Sequence, residues 1–359
     1  MRLGTCIALE LAVAVGAIGG VVIGVQRATS VAGVYFAERE AAAATVERSP
    51  APARLPTGRL DIAAPAMLKT VFDASDDVLL GPLAATPLAK VKVNRGGTSL
   101  SLRLEFASGA RAAFKPQQIH PQSDPRREIA AYRIDRLLWI GHVPPAKPGT
   151  FSVDDLVAAV EPGLRNYVTG RLADEAIAKD GVVHGELSWW IPEIRDLAIA
   201  GTPVDEAEGM ALWTGYLQAG ATIPPEVRPL VEQLATCVVF DIIIDNADRW
   251  SGSNTKGSPD GKTLYFMDNT LSFSLFTLGH EANLRPLDRI EVFPRGLVKR
   301  LRALTVESVT AALASDDIGL GPLLQPAEID ALLARRDHLV HHIDQLIAKL
   351  GEDAVLALP

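Results

Sequence analysis

Apolar and polar residues alternate from Val91 to Glu105: Val91 and Val93 come first, then Leu100, Leu102 and Leu104, with Gly96-Gly97 breaking the run. A period of two interrupted by paired glycines predicts a β-hairpin. Ser108-Gly109 predicts a second turn, and Arg111 to Phe114 a third short strand. From Asp124 to Ile140 the period changes. Ile129, Tyr132, Leu137 and Leu138 fall at helical spacing behind Pro125. His142-Val143-Pro144-Pro145 ends that helix and leads into an extended run. Farther on, Gly185–Ile191 predicts a strand, Pro229–Asp245 a long apolar helix, Asn246–Lys262 a polar loop and Thr263–Met267 another strand. The end is helical, with Ile329, Leu332, Leu333, Leu339, Val340, Ile343 and Leu346 recurring at three and four. Strands first and helices afterwards predict an α+β body over residues 67–359. Its β-rich N-lobe covers about 67–192 and its helical C-lobe about 193–359.

Ahead of that body the pattern is different. Gly4 to Val25 is apolar except for Glu10, follows Arg2, and is long enough to cross a bilayer as one helix. Gly16, Gly20 and Gly24 recur at a spacing that allows close helix contact in lipid, and a signal sequence rich in small residues carries the same glycines. No clean A-x-A cleavage site follows, so residues 1–36 read as an uncleaved transmembrane signal anchor. Residues 37–66 are rich in Ala and Pro without periodicity and read as a linker. The expected protein is membrane-anchored with its body on the exported side, or secreted if the segment is removed.

Charge narrows the partners. Against 35 basic residues stand 43 acidic ones, a net charge of −8, which argues against a nucleic-acid partner because phosphate binding needs clustered Lys and Arg. Two cysteines exclude a disulfide scaffold and a Cys-rich zinc site. Cys6 lies in the apolar span, so Cys237 stands alone in the body.

The polar loop carries the candidate chemistry. It contains Asp245-Asn246-Ala247-Asp248-Arg249-Trp250 and then Asn254, and the next apolar segment ends in Met267-Asp268-Asn269. Phosphoryl transfer from ATP needs one carboxylate to orient or deprotonate the attacking hydroxyl. An amide and a second carboxylate must hold the divalent metal that bridges the phosphates. Asp248 fits the first role, and Asn254 with Asp268 the second. The same residues also suit a surface turn whose side chains cap helices. The first lobe shifts that balance. Lys115 ends the third strand, Glu128 opens the following helix, and Gly96-Gly97 offers backbone amides that could cover phosphates. These are the parts of a kinase in kinase order.

At these residues a family resemblance enters. Gly96-Gly97-Thr98 through Phe114-Lys115-Pro116, Glu128 through Leu138 with Val143-Pro144-Pro145, Gly185 through Pro192, and Phe240-Asp241 through Arg249 with Asp268-Asn269 resemble the secretory-pathway atypical kinases. That group includes the Golgi casein kinase, the glycosaminoglycan xylosylkinase and four-jointed. The resemblance implies a bilobal atypical kinase fold, ATP with Mg²⁺ or Mn²⁺ as cofactors, and a protein or glycan acceptor. Gly96, Gly97, Thr98, Lys115 and Glu128 would bind ATP. Asp248 would be the catalytic acid/base, Asp268 and Asn254 would hold the metal, and Asn246 and Arg249 would shape the loop. Three departures stand out. Trp250 replaces a frequent His, Thr270 replaces the third residue of Asp-Asn-Gly, and the body lacks the disulfides of the animal members, which fits a distant, bacterial-type relative. A pseudokinase scaffold and a HipA-like or phosphoinositide-kinase-like enzyme are the alternatives.

Three other groups of residues have simpler readings. His338, His341 and His342 share helical spacing that could bind metal but read as a solvated face. Trp189 and Trp190, adjacent on a strand, point to opposite faces. Asp316-Asp317 reads as a helix-capping turn.

Overall fold

Leu102, Leu104 and Phe106 are buried while Arg103 and Glu105 between them are half-exposed, and that alternation builds one strand of a six-stranded sheet. The computed structural model describes residues 69–83, 87–94, 99–120, 122–250, 254–314 and 319–359. Its sheet strands are β1 (Leu88–Val93), β2 (Leu102–Phe106), β3 (Arg111–Pro116), β4 (Ala146–Ser152), β5 (Ala178–Lys179) and β6 (Val182–Trp189). They lie in the order β1-β2-β3-β6-β4 with β5 also on β6, and every pairing is antiparallel. The hairpin expected from the glycine break is β1 with β2, Val91 facing Leu104.

One face of this sheet buries Leu104, Phe106, Phe114 and Leu187 with Leu156, Val168 and Leu172 of the helices Val153–Ala158 and Arg165–Glu175. Strand side chains alternate. Lys115, next to Phe114, therefore takes the opposite face, where its partner in register is Glu186 on β6. Gly185 makes that pairing possible. A Cβ there would lie 2.2 Å from the Lys115 carbonyl oxygen, so a side chain would force β3 and β6 apart beside the lysine.

The helix expected after Asp124 spans Pro125–Leu137. Asp124 caps it by accepting from the Arg126 N–H at 3.0 Å, and Pro125 supplies the fixed φ of a first turn. Ile129, Ala130 and Ile134 join the core of the helical half, although the chain segment lies between strands of the sheet. The exit from this helix is folded around one carboxylate. Asp135, fully buried, accepts the N–H groups of Gly141, His142 and Val143 at 2.9, 3.0 and 3.1 Å.

The helix Arg228–Ile244 leaves Glu232, Gln233 and Thr236 half-buried on one side of its first half and is buried all round from Cys237 to Ile244, packed against the helices Pro326–Leu350 and Glu281–Leu287. It ends at Asp245, whose left-handed backbone (φ 54°) turns the chain into the polar loop.

One expected strand is not formed. Over Thr263–Met267 the structure has only a bridge from Leu264 to Gly257. The Leu264 N–H donates to Gln233 Oε1 at 2.8 Å, the Tyr265 N–H to the Lys256 carbonyl at 2.8 Å, and the Phe266 N–H to the His142 carbonyl at 3.1 Å. The alternation is real, with Leu264 and Phe266 fully buried. Its hydrogen bonds go to three different elements, so no ladder forms.

Trp189 meets Phe72 edge-on with ring centroids 5.6 Å apart, while Trp190 lies under the Arg103 guanidinium at 5.3 Å. His338 and His341 are exposed, and His342 is half-buried beside Phe293. Among the described residues no helix is long and apolar enough to cross a membrane. The apolar segment within 1–36, the linker 37–66, the residues Gly96, Gly97 and Thr98, and Asp316-Asp317 lie outside the described residues.

Candidate active site

Three elements deliver charges to one point. From β3, Lys115 Nζ lies 2.9 Å from Glu128 Oε1 on the helix Pro125–Leu137 and 2.8 Å from Asp268 Oδ1. Burial alone would lower the lysine pKa, but Asp268, Glu128 and Glu186 outweigh it and raise it, so Lys115 stays charged. The Lys115 ammonium in turn holds the Asp268 carboxyl below its ordinary range. Asp268 has a left-handed backbone (φ 58°), which costs a non-glycine residue on the order of 1 kcal/mol. Two bonds hold it there: Asn246 Nδ2 donates to its carbonyl at 3.1 Å, and Thr270 Oγ1 to its Oδ1 at 3.3 Å. Thr270, a departure from the family pattern, thus orients the carboxylate directly.

The loop after Asp245 brings the second set. Asn246 Oδ1 accepts the Asp248 N–H at 3.1 Å, a local turn that fixes the loop. Asn254 Nδ2 donates to Asp248 Oδ2 at 2.7 Å and to the Asp248 carbonyl at 3.1 Å. With its nitrogen committed to Asp248, the side-chain oxygen of Asn254 is the atom that could meet a cation. Oxygen donors of this kind, with the half-exposed Asp268 carboxylate, suit Mg²⁺ or Mn²⁺. Among the described residues no three acids, histidines or cysteines converge into an all-protein cage. A metal carried mainly by phosphate oxygens needs only one or two side chains.

Arg249 fastens the two sets together. It is fully buried and pairs with buried Asp241, Nε to Oδ2 at 3.1 Å. It also donates to the carbonyl of Asn254 at 3.3 Å, to that of Met267, and to Asn269 Oδ1 at 2.8 Å. Trp250 packs against Trp213 at 5.6 Å between centroids, which makes the second departure from the family pattern part of the core.

The structure therefore gathers Lys115, Glu128, Asn246, Asp248, Arg249, Asn254 and Asp268, while Gly96, Gly97 and Thr98 are outside the described residues. Sequence reasoning assigned no role to Asp241, Glu186 or Asn269. A lone acid within an apolar helix or strand is a usable signal for the first two, since buried charges require partners. For Asn269 the signal is its place in the Asp-Asn-Gly motif that the resemblance rests on.

Glu186 has consequences for stability. It is 1% exposed, and Ser188 Oγ donates to it at 2.8 Å. Burial, reinforced by the Glu128 carboxylate, pushes its pKa up to about 8. A carboxyl whose folded pKa is raised binds a proton on folding. Its contribution is full below the unfolded value of about 4.3 and is lost as pH rises through about 8. Glu186→Gln removes that titration. Thermal melts should place the variant near wild type at about pH 4 and roughly 5 °C above it at pH ~8.5. A gap that does not change with pH would mean that Glu186 is ionised in the folded chain.

Comparison with known proteins adds to this geometry. No family model matches the chain. The glycosaminoglycan xylosylkinase of Homo sapiens is 25% identical over 312 residues, covering 76% of this chain and 76% of the relative. A crystal structure of the Golgi casein kinase superposes with a TM-score of 0.61 at 16% identity, covering 79% of this chain and 77% of the other. A second structure of that kinase, with Mn/ADP bound, gives a TM-score of 0.60 at 16% identity, with 78% of each chain covered. The fold is thus kinase-like.

Proposed function

We propose that this chain, which resembles the secretory-pathway atypical kinases in sequence and fold, transfers the γ-phosphate of ATP to a hydroxyl group of a protein or glycan. The observation that carries the reading is Lys115 held between Glu128 and Asp268, with Asp248 and Asn254 bonded to each other on the adjoining loop. Mg²⁺ or Mn²⁺ would neutralise charge on the phosphates, as the Mn/ADP-bound relative suggests. Asp268 and the Asn254 oxygen would hold it.

The chain's own residues do the rest. Lys115 would exchange its contact with Asp268 for phosphate oxygens, kept in place by Glu128. Asp248, oriented by Asn254, would accept the proton of the attacking hydroxyl. Asn246 and Arg249 would keep the loop in register with Asp268. A named xylosylkinase relative and a named casein kinase neighbour support glycan and protein hydroxyls alike as acceptor classes.

The proposal extends to the rest of the chain. Residues 1–36 would anchor it, 37–66 would form a stalk, and 67–359 the kinase body on the exported side of the membrane. The apolar run after Arg2 supports this. A reporter joined to the C-terminus reads the side on which the body lies.

The activity test uses the purified chain with labelled ATP and Mg²⁺ or Mn²⁺, beside Asp268→Ala. Wild type is expected to hydrolyse ATP or transfer phosphate, and Asp268→Ala to lose at least about 100-fold of that rate. A wild type with no turnover and no nucleotide-dependent rise in melting temperature would rule out the kinase reading. Nucleotide binding without turnover would favour a pseudokinase scaffold.

A further inference from the structure

Asn269 follows the proposed metal ligand and is fully buried. Its amide is saturated. Oδ1 accepts from Arg249 at 2.8 Å and from Asn246 Nδ2 at 3.2 Å, while Nδ2 donates to Glu128 Oε2 at 3.1 Å and to the Phe266 carbonyl at 3.1 Å. An amide offers two donors and two acceptor sites, and all four are used. The orientation is dictated by the partners: the side facing Arg249 must accept, and the side facing a glutamate must donate.

We infer that Asn269 is a positioning residue for nucleotide binding. It holds Oε2 of Glu128 so that Oε1 meets Lys115, and it joins that pair to the loop carrying Asp248. The inference rests on the kinase reading and deepens it. Three features of the geometry support it. Glu128 bonds Lys115 through one oxygen and Asn269 through the other, so its carboxylate plane is fixed at both ends. The same amide holds Arg249 and Asn246, both bonded within the polar loop. Finally, only a side chain that accepts on one side and donates on the other fits between a guanidinium and a carboxylate. Asp would present an oxygen to Glu128 and repel it. Leu would leave the buried donors of Arg249 and Asn246 unpaired.

The test exchanges amide and acid between the two positions in the full chain. Asn269→Asp sets two carboxylates face to face, and Glu128→Gln removes the charge that pairs with Lys115 and sets an amide nitrogen against either the Asn269 amide or the Lys115 ammonium. In the double variant the Gln amide can donate to the Asp carboxylate. MnADP affinity is measured by calorimetry, with folding checked by thermal melts and the ATP KM and kcat taken from hydrolysis. Asn269→Asp is expected to weaken MnADP binding at least 10-fold and to raise KM more than it lowers kcat. The double variant is expected to bind MnADP several-fold tighter than Asn269→Asp alone, although it carries one more change. If the two losses simply add, Asn269 only supports the fold and the inference falls.

Should Asn269→Asp not fold, Asn269→Ser takes its place, measured in wild-type and Glu128→Ala backgrounds. The serine should weaken binding in the first and do little in the second, and equal losses in both overturn the inference. A wild type that binds no MnADP overturns the kinase reading and this inference with it. A binding wild type with additive variants overturns this inference alone.

Discussion

Asp248→Asn is expected to slow phosphoryl transfer by about 10²–10⁴-fold while leaving nucleotide affinity within about 3-fold of wild type, the span of a positioned acid or base. The substitution keeps the shape of the side chain. The new amide can turn its oxygen toward Asn254 Nδ2 and preserve the 2.7 Å bond, and the backbone N–H at this position still meets Asn246 Oδ1. The loop should therefore hold its form, and the loss should appear in kcat rather than in ATP binding. Lys115, Glu128 and Asp268 sit on other segments and are untouched. Single-turnover transfer measured beside the nucleotide-dependent melting shift separates the two quantities. A rate close to wild type would remove Asp248 from the chemistry. Loss of rate and binding together would mean that the loop had collapsed.

Arg249→Met should cost about 3–5 kcal/mol of stability, the usual result of removing one member of a buried ion pair. Both side chains of the Arg249–Asp241 pair are fully buried, so the remaining carboxylate would keep only the weak Cys237 thiol donor, at 3.4 Å, and no countercharge. The carbonyls of Asn254 and Met267 and Oδ1 of Asn269 would lose a donor as well. Melting should fall by roughly 10 °C. Arg249→Met combined with Asp241→Leu should recover part of the loss, because no unpaired charge is then left buried at this point. Denaturant titration of the three proteins checks this. A loss below about 1 kcal/mol for Arg249→Met would mean that water reaches Asp241.

The regular elements were legible because their periodicity is local. The β1–β2 hairpin, the helix Pro125–Leu137 and the helix Pro326–Leu350 follow from spacing and capping residues. Thr263–Met267 read as a strand for the same reason and is not one, because a ladder depends on a neighbour that local sequence cannot display. The chemistry-bearing residues were also legible one by one, since Lys115, Glu128, Asp248 and Asp268 stand in the order that phosphoryl transfer requires.

Another group was invisible. Behind the polar loop, buried Asp245 accepts from His280 N and Nδ1, both at 2.7 Å, and from Asn283 Nδ2 at 3.1 Å. Arg335, from the last long helix, donates to the carbonyls of Ile243, Ser274 and Phe276. Those contacts span separations in sequence over which no pattern repeats.

By itself, the sequence determined the order of strands and helices and the kinds of side chain available to bind phosphate and metal. Periodicity and residue chemistry act over a few residues and survive in a linear string. Only the tertiary structure decided which of those side chains meet. Glu128 faces Lys115 because β3 and its following helix pack at one distance. Asn269 joins them because the chain returns 141 residues later with one amide oriented both ways. A hydrogen bond is satisfied at about 3 Å or not at all. That condition is set by packing across the whole body and is written in no single segment of it.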